Sequence, residues 1–136
     1  MKKWIFIIMS LLIIVLLAAN FLFFSNEFSD IEKLRIQKYN HQKEKYENEK
    51  IVTNNAAIRT FTKILNKANH EKNTHYKMAN HHDFKVTVIY ENEKSDVLYV
   101  WKKSGIYTHI LRDNNNDSFK ISNKHRKKQL FKVLNN

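Results

Sequence analysis

The chain has 136 residues, with 24 Lys and Arg against 13 Asp and Glu, a net charge of +11, one glycine, no proline and no cysteine. That length holds one modest domain and an appendage. The lack of cysteine excludes disulfides, thiolate chemistry and lipid attachment at a signal-peptide cysteine, and the basic balance favours polyanions as partners.

From the N-terminus, Lys2 and Lys3 precede an apolar run, "WIFIIMSLLIIVLLAANFLFF", residues 4–24, interrupted only by Ser10 and Asn20. At about 1.5 Å per residue it is roughly 30 Å long, the thickness of a bilayer's hydrocarbon core. Ala18 and Ala19 would suit a signal peptidase, but the apolar run continues beyond them, which favours an uncleaved anchor held in lipid through residues 4–24. Cations before the run, and Glu27, Asp30 and Glu32 directly after it, put the N-terminus in the cytoplasm and the remainder outside. The expected organisation is an anchor over 1–25, a charged helical stalk over 26–52 and a small α+β domain over 53–136. The stalk mixes charges of both signs with sparse apolar residues and has no Gly or Pro. It reads as a solvated spacer, or as a helix lying on anionic headgroups through Lys33, Arg35 and Lys38. "YENEK" occurs at Tyr46–Lys50 and Tyr90–Lys94, but the flanks differ and no internal repeat follows.

Beyond the stalk the periodicity sharpens. Ala57, Phe61, Ile64, Leu65 and Ala68 share one face of a helix, with Thr53, Asn54 or Asn55 as its N-cap. "FKVTVIY", "DVLYVW", "GIYTHILR" and "SFKIS" alternate as strands, separated by the polar turns "ENEKS" and "DNNND" and by Gly105. Phe84, Val86, Val88 and Tyr90 share a face. A last helix begins at Ser122 or Asn123 and carries Leu130, Phe131, Val133 and Leu134. The expected order is helix, four-stranded antiparallel meander, C-terminal helix, with both helices on one face of the sheet.

The strands "DFKV" at Asp83–Val86, "LYVW" at Leu98–Trp101 and "FKIS" at Phe119–Ser122, together with Phe61, Ala68, Met78-Ala79, Gly105, Leu130 and Leu134, carry a resemblance. Over residues 56–135 the chain resembles the YhfM-like domain of small membrane-attached proteins of Gram-positive bacteria. The resemblance implies an α+β fold outside the membrane and assigns no catalytic residue. Many such proteins are lipoproteins, so here a helix would replace the lipid anchor.

Candidate chemistry is thin. His70, His75, His81 and His82, near Glu71 and Asp83, are metal-ligand types, but their spacing puts no pair on one helix face, so loop histidines and no metal are expected. Tyr99, Trp101 and Tyr107 with Lys102 and Lys103 could stack on bases or sugars. Tyr99 and Trp101 share strand parity, however, and are expected to pack as core under the Phe61 and Leu65 helix, with the Trp101 N–H reaching solvent or a carbonyl. The densest basic cluster, Lys124, Arg126, Lys127 and Lys128, opens a helix, where positive charge opposes the macrodipole. It is the expected anion-binding site. One glycine builds no phosphate loop, and no Ser, His and Asp are spaced as nucleophile and base. A hydrolase would need acids converging in a cleft. The expectation is therefore a membrane-anchored extracytoplasmic binding domain, not an enzyme and without cofactor, meeting an envelope protein or anionic polymer. The alternative is a membrane-tethered cytoplasmic basic module that binds nucleic acid or anionic lipid, although no specific nucleic acid is expected.

Overall fold

The computed structural model describes residues 1–23 and 27–136, with side chains of residues 20–23 left aside. Phe24 at the end of the expected span, and the expected anchor–stalk boundary, lie outside the described residues. Helix α1 (Lys2–Phe23) is long and apolar enough to cross a membrane, a property that a membrane anchor and a signal sequence share. Its side chains from Trp4 to Leu17 are exposed.

The rest is an α+β unit. Strands β1 (Ile31–Asn40), β2 (Lys45–Tyr46) and β3 (Lys50–Val52) lead to α2 (Asn55–Lys67). Then follow β4 (Asn69–Glu71), β5 (Phe84–Tyr90), β6 (Ser95–Ser104), β7 (Tyr107–Arg112), β8 (Ser118–Ile121) and α3 (Lys124–Asn135). They form an 8-stranded antiparallel sheet in the order β2-β1-β5-β6-β7-β8-β4, with β3 also pairing to β1. The expected meander is present as β5 to β8, and it is flanked on both sides by strands that alternation did not reveal.

The expected helical stalk is replaced by sheet. β1 pairs along β5 from Ile31 opposite Tyr90 to Lys38 opposite Phe84, with a register shift between Ile31 and Lys33. That bulge lets Ile31, Leu34 and Ile36 all face the core, although three residues rather than two separate the first pair. Spacing of three, in a lysine-rich segment without Gly or Pro, imitates a helix. Phe28 is fully buried, and Asn66 of α2 holds the chain there: Phe28 N–H donates to Asn66 Oδ1 at 3.1 Å and Asn66 Nδ2 donates to the Phe28 carbonyl at 3.0 Å. Residues 28–52 thus belong to the same core as the rest of the domain.

Both helices lie on one face. α2 buries Ile58, Phe61, Ile64 and Leu65, and its N-cap is Asn54, whose Oδ1 accepts from Ala56 and Ala57 N–H. α3 buries Leu130, Val133 and Leu134 behind an Asn123 cap. Against them stand Leu34, Ile36, Phe84, Val86, Leu98, Val100, Ile110 and Phe119. The connection β5–β6 has no glycine; Glu93 takes φ of 69° there, and Asn92 Oδ1 accepts from Lys94 N–H at 3.0 Å. Gly105 supplies φ of 61° between β6 and β7. The sheet therefore has an entry end, where Ile31, Tyr90 and Ser95 lie, and a far end at Asn40, Gly105 and Ile121. The ten residues of β1 separate the two by about 33 Å.

Candidate functional site

The basic cluster lies at the far end. Lys124 and Lys128 are exposed and have no partner among the described residues, whereas Arg126 and Lys127 are half-buried and committed. Arg126 Nη1 donates to the Lys67 carbonyl at 3.4 Å, placing a cation at the negative end of the α2 dipole. Lys127 Nζ donates to the Ile106 carbonyl beside Gly105, tying the start of α3 to the β6–β7 turn. Part of the conflict of positive charge with the α3 dipole is thus explained by its service to α2 and to the turn. Lys103, near the end of β6 at the same far end, is exposed and lines a cleft with Trp101 and His41. Lys102 leans inward, its Nζ 5.5 Å from the Phe84 ring centre and 5.6 Å from that of Phe131.

Tyr99 and Trp101 are not under the helices. Register puts Leu98 opposite Val86, and Val100 opposite Phe84 and Ile110, on the helix-covered face; Tyr99 and Trp101 therefore point to the other one. Both apolar sets of β6 could have been core. The purely aliphatic set takes the dry side, and the set with polar tips takes the side that stays half wet. The Trp101 indole N–H donates to the Asn80 carbonyl at 2.7 Å, as the sequence led one to expect.

That second face is crossed by residues 72–83, which run from the β4 edge back to β5. Thr74 N–H donates to the Asn116 carbonyl at 3.0 Å, and the Tyr76 ring meets His109 edge-on at 4.6 Å. Farther along, His81 stacks on Tyr39 at 3.6 Å, and His82 lies 4.6 Å from Tyr99 and 5.7 Å from Trp101. Tyr46 Oη lies 2.5 Å from His82 Nε2. Burial, aided by the neighbouring His81, pulls the His82 imidazolium down to about 4, so the ring is neutral at pH 7 where it hydrogen-bonds the phenol. Burial also lowers His109, whose Nε2 lies 2.5 Å from Ser118 Oγ. A cleft of about 630 Å³ opens at the far end between Trp101, His41, His81 and the Lys102–Gly105 turn. His41 Nε2 and Asp83 Oδ1 are 2.8 Å apart there, and the other Asp83 oxygen accepts from Lys102 N–H at 2.7 Å.

Of the other histidines, His75 is exposed and His70 lies on β4 with a stacked contact to Phe119. His70 Nδ1 is 3.3 Å from Glu27 and its Nε2 is 3.4 Å from Asp117, a grouping with metal-ligand donors within 4.8 Å of one another. A cation already serves this site. Arg112 is 5% exposed and sends Nη1 to Asp117 at 3.2 Å and to Glu27 at 3.7 Å. Its guanidinium lies 4.6 Å from the Phe28 ring centre. Acids do converge here, in a cleft of about 980 Å³ that includes Glu27, Asp96 and Arg112. Yet Asp96 accepts from the Tyr90 hydroxyl at 2.7 Å and from Asn114 at 3.2 Å, while Glu27 and Asp117 pair with Arg112. Glu27, Asp96 and Asp117 are thus held by donors within the fold rather than aimed at an open reacting position. The sequence signalled this network only through an arginine at a core-parity strand position, followed five residues later by Asp117.

No family model, no curated protein and no solved structure matches the chain.

Proposed function

We propose that the protein is a single-pass membrane protein, anchored through residues 4–24, that presents its α+β domain outside the cytoplasm as a non-catalytic binding module. Its far end takes an anionic envelope polymer or an acidic surface of an envelope protein. The observation that carries this reading is the set of free cations at the far end: exposed Lys124 and Lys128 on α3 and exposed Lys103 near the end of β6, with α3 tied by Lys127 to the Ile106 carbonyl in the turn that follows β6. The resemblance to the YhfM-like domain agrees with the location, and the charge step from Lys2 and Lys3 to Glu27, Asp30 and Glu32 supports the orientation. A helix lying on headgroups through Lys33, Arg35 and Lys38 is no part of it, since those residues are in β1 and Arg35 pairs with Glu49 at 2.8 Å.

The chain has no cysteine, so Asn136→Cys gives one thiol to probe. A membrane-impermeant maleimide should label it in intact cells. Labelling only after lysis would overturn the orientation and leave the cytoplasmic nucleic-acid or lipid module as the better reading. Binding to an anionic wall polymer should be salt-sensitive. The triple change Lys103→Gln, Lys124→Gln and Lys128→Gln should weaken it about a hundredfold at low salt, at about 1 kcal/mol per cation. Arg126 and Lys127 are left out of the triple because their loss would also loosen the fold. Unchanged affinity would remove the far end as the site.

A further inference from the structure

A second surface lies at the opposite edge of the domain and is independent of the far-end site. β3 pairs with β1 on one side, and its outer edge has no strand partner among the described residues. Between that edge and the helices runs a groove of about 600 Å³. β3 and the α2 N-cap form one wall; Ala56, Ala57, Thr60, Gln129, Lys132 and Val133 form the other. Its charged side chains are Lys50 and Lys132, with no acidic residue among those lining it.

Lys50 is the unusual member. It pairs opposite Ile36, and Val52 pairs opposite Leu34, so the Lys50 side chain shares the parity of the buried Leu34 and Ile36 and points to the helix layer. Its ammonium is closed to solvent and has no hydrogen-bond partner. An unpaired buried ammonium is costly, and a carboxylate brought to it relieves that cost. Ile51, its neighbour, is 57% exposed on the same free edge. A free edge offers main-chain donors and acceptors to an incoming strand, and a groove beside it receives alternate side chains.

We propose that β3 and this groove receive an extended peptide segment of a partner protein. The segment adds as a strand and directs a Glu or Asp side chain at Lys50, whose flexible side chain turns from its closed position into the groove to meet it, with apolar side chains two residues to either side. The competing account of the same residue is protective: an inward-pointing lysine on an edge strand discourages strand addition altogether.

The test uses the full chain in nanodiscs of zwitterionic lipid and three capped heptapeptides of alternating Thr and Val whose central residue is Glu, Gln or Lys. The Glu peptide should bind about tenfold more tightly than the Gln peptide, with the Lys peptide weakest, as a charge-assisted hydrogen bond implies. The amide resonances of Ile51 and Val52 should shift on titration. Lys50→Met should abolish the preference for Glu while keeping binding of the Gln peptide. No binding, equal binding of all three peptides, or shifts confined to residues away from β3 would overturn the proposal. So would self-association of Lys50→Met without any change in peptide preference, which is the protective outcome. The three-peptide comparison on the unaltered chain needs no variant, so a misfolded Lys50→Met leaves the test decisive.

Discussion

The two faces of the sheet are built from the same strands and obey different rules. Beneath α2 and α3, Leu34, Phe84, Val86, Leu98, Val100 and Ile110 are at most marginally exposed, and apolar contact does the holding. On the other face Tyr39, Tyr99 and Trp101 stay half-exposed, and rings, hydroxyls and imidazoles meet through directed contacts under residues 72–83. A strand with apolar residues at both parities can dry either side. What decides is which side chains tolerate water at one end.

The largest consequence falls on adjacent residues of β6. Leu98 is fully buried among core neighbours, so Leu98→Ala should cost about 2–5 kcal/mol in chemical denaturation. Tyr99→Ala, one residue on, leaves a half-exposed ring's place beside His82 and should cost well under that. If the two costs come out equal, or reversed, the assignment of faces is wrong.

A second difference is in pH dependence. The described histidines with lowered values, His82 and His109, both lie on the aromatic face. His82 falls from 6.5 when unfolded to about 4 when folded, because burial and His81 disfavour its charged form. Between those values the unfolded chain binds the extra proton, so stability should be level above pH 7 and decline as pH falls from about 6.5 towards 4. Glu71, held down mainly by the Tyr76 hydroxyl, adds its loss only below its ordinary 4.5. Denaturant midpoints measured from pH 8 to pH 4 should follow this course, and His82→Phe should flatten the limb between 6.5 and 4. A slope that survives the substitution unchanged would assign it elsewhere.

These contrasts also mark what the sequence could disclose. α2, α3 and the meander were legible because Phe61, Ile64 and Leu65, or Phe84, Val86 and Val88, keep one period without interruption; the caps were legible only as groups of neighbours that include Asn54 and Asn123. β1 was not, because the bulge at its start changes the period, and β4 has only three residues, too few to show alternation. Of the basic cluster the sequence revealed the charge but not the division of labour between Lys124 and Lys128, which have no partner among the described residues, and Arg126 and Lys127, which hold backbone carbonyls. The side taken by Tyr99 and Trp101 depends on a tertiary choice that alternation leaves open. Asp117 is near Arg112 in the chain, but Glu27 is brought to both only by the fold.

The smallest effect tests the direction of a single proton. A neutral His82 ring with its proton on Nδ1 takes Tyr46 as the donor to Nε2; Tyr46→Phe removes that bond and should cost about 0.5–1.5 kcal/mol at pH 8. Donation to the ring adds to burial and His81 in favouring its neutral form, so the variant should also let His82 rise somewhat above about 4. Less stability is then lost on acidification, and the unfolding curves of Tyr46→Phe and the unaltered chain should converge as pH falls towards 4. A gap that stays constant over the whole range would mean that the phenol turns to accept from the charged ring. In that case the acid response arises from the burial of His82 and its His81 neighbour, and its contact with Tyr46 contributes nothing to it.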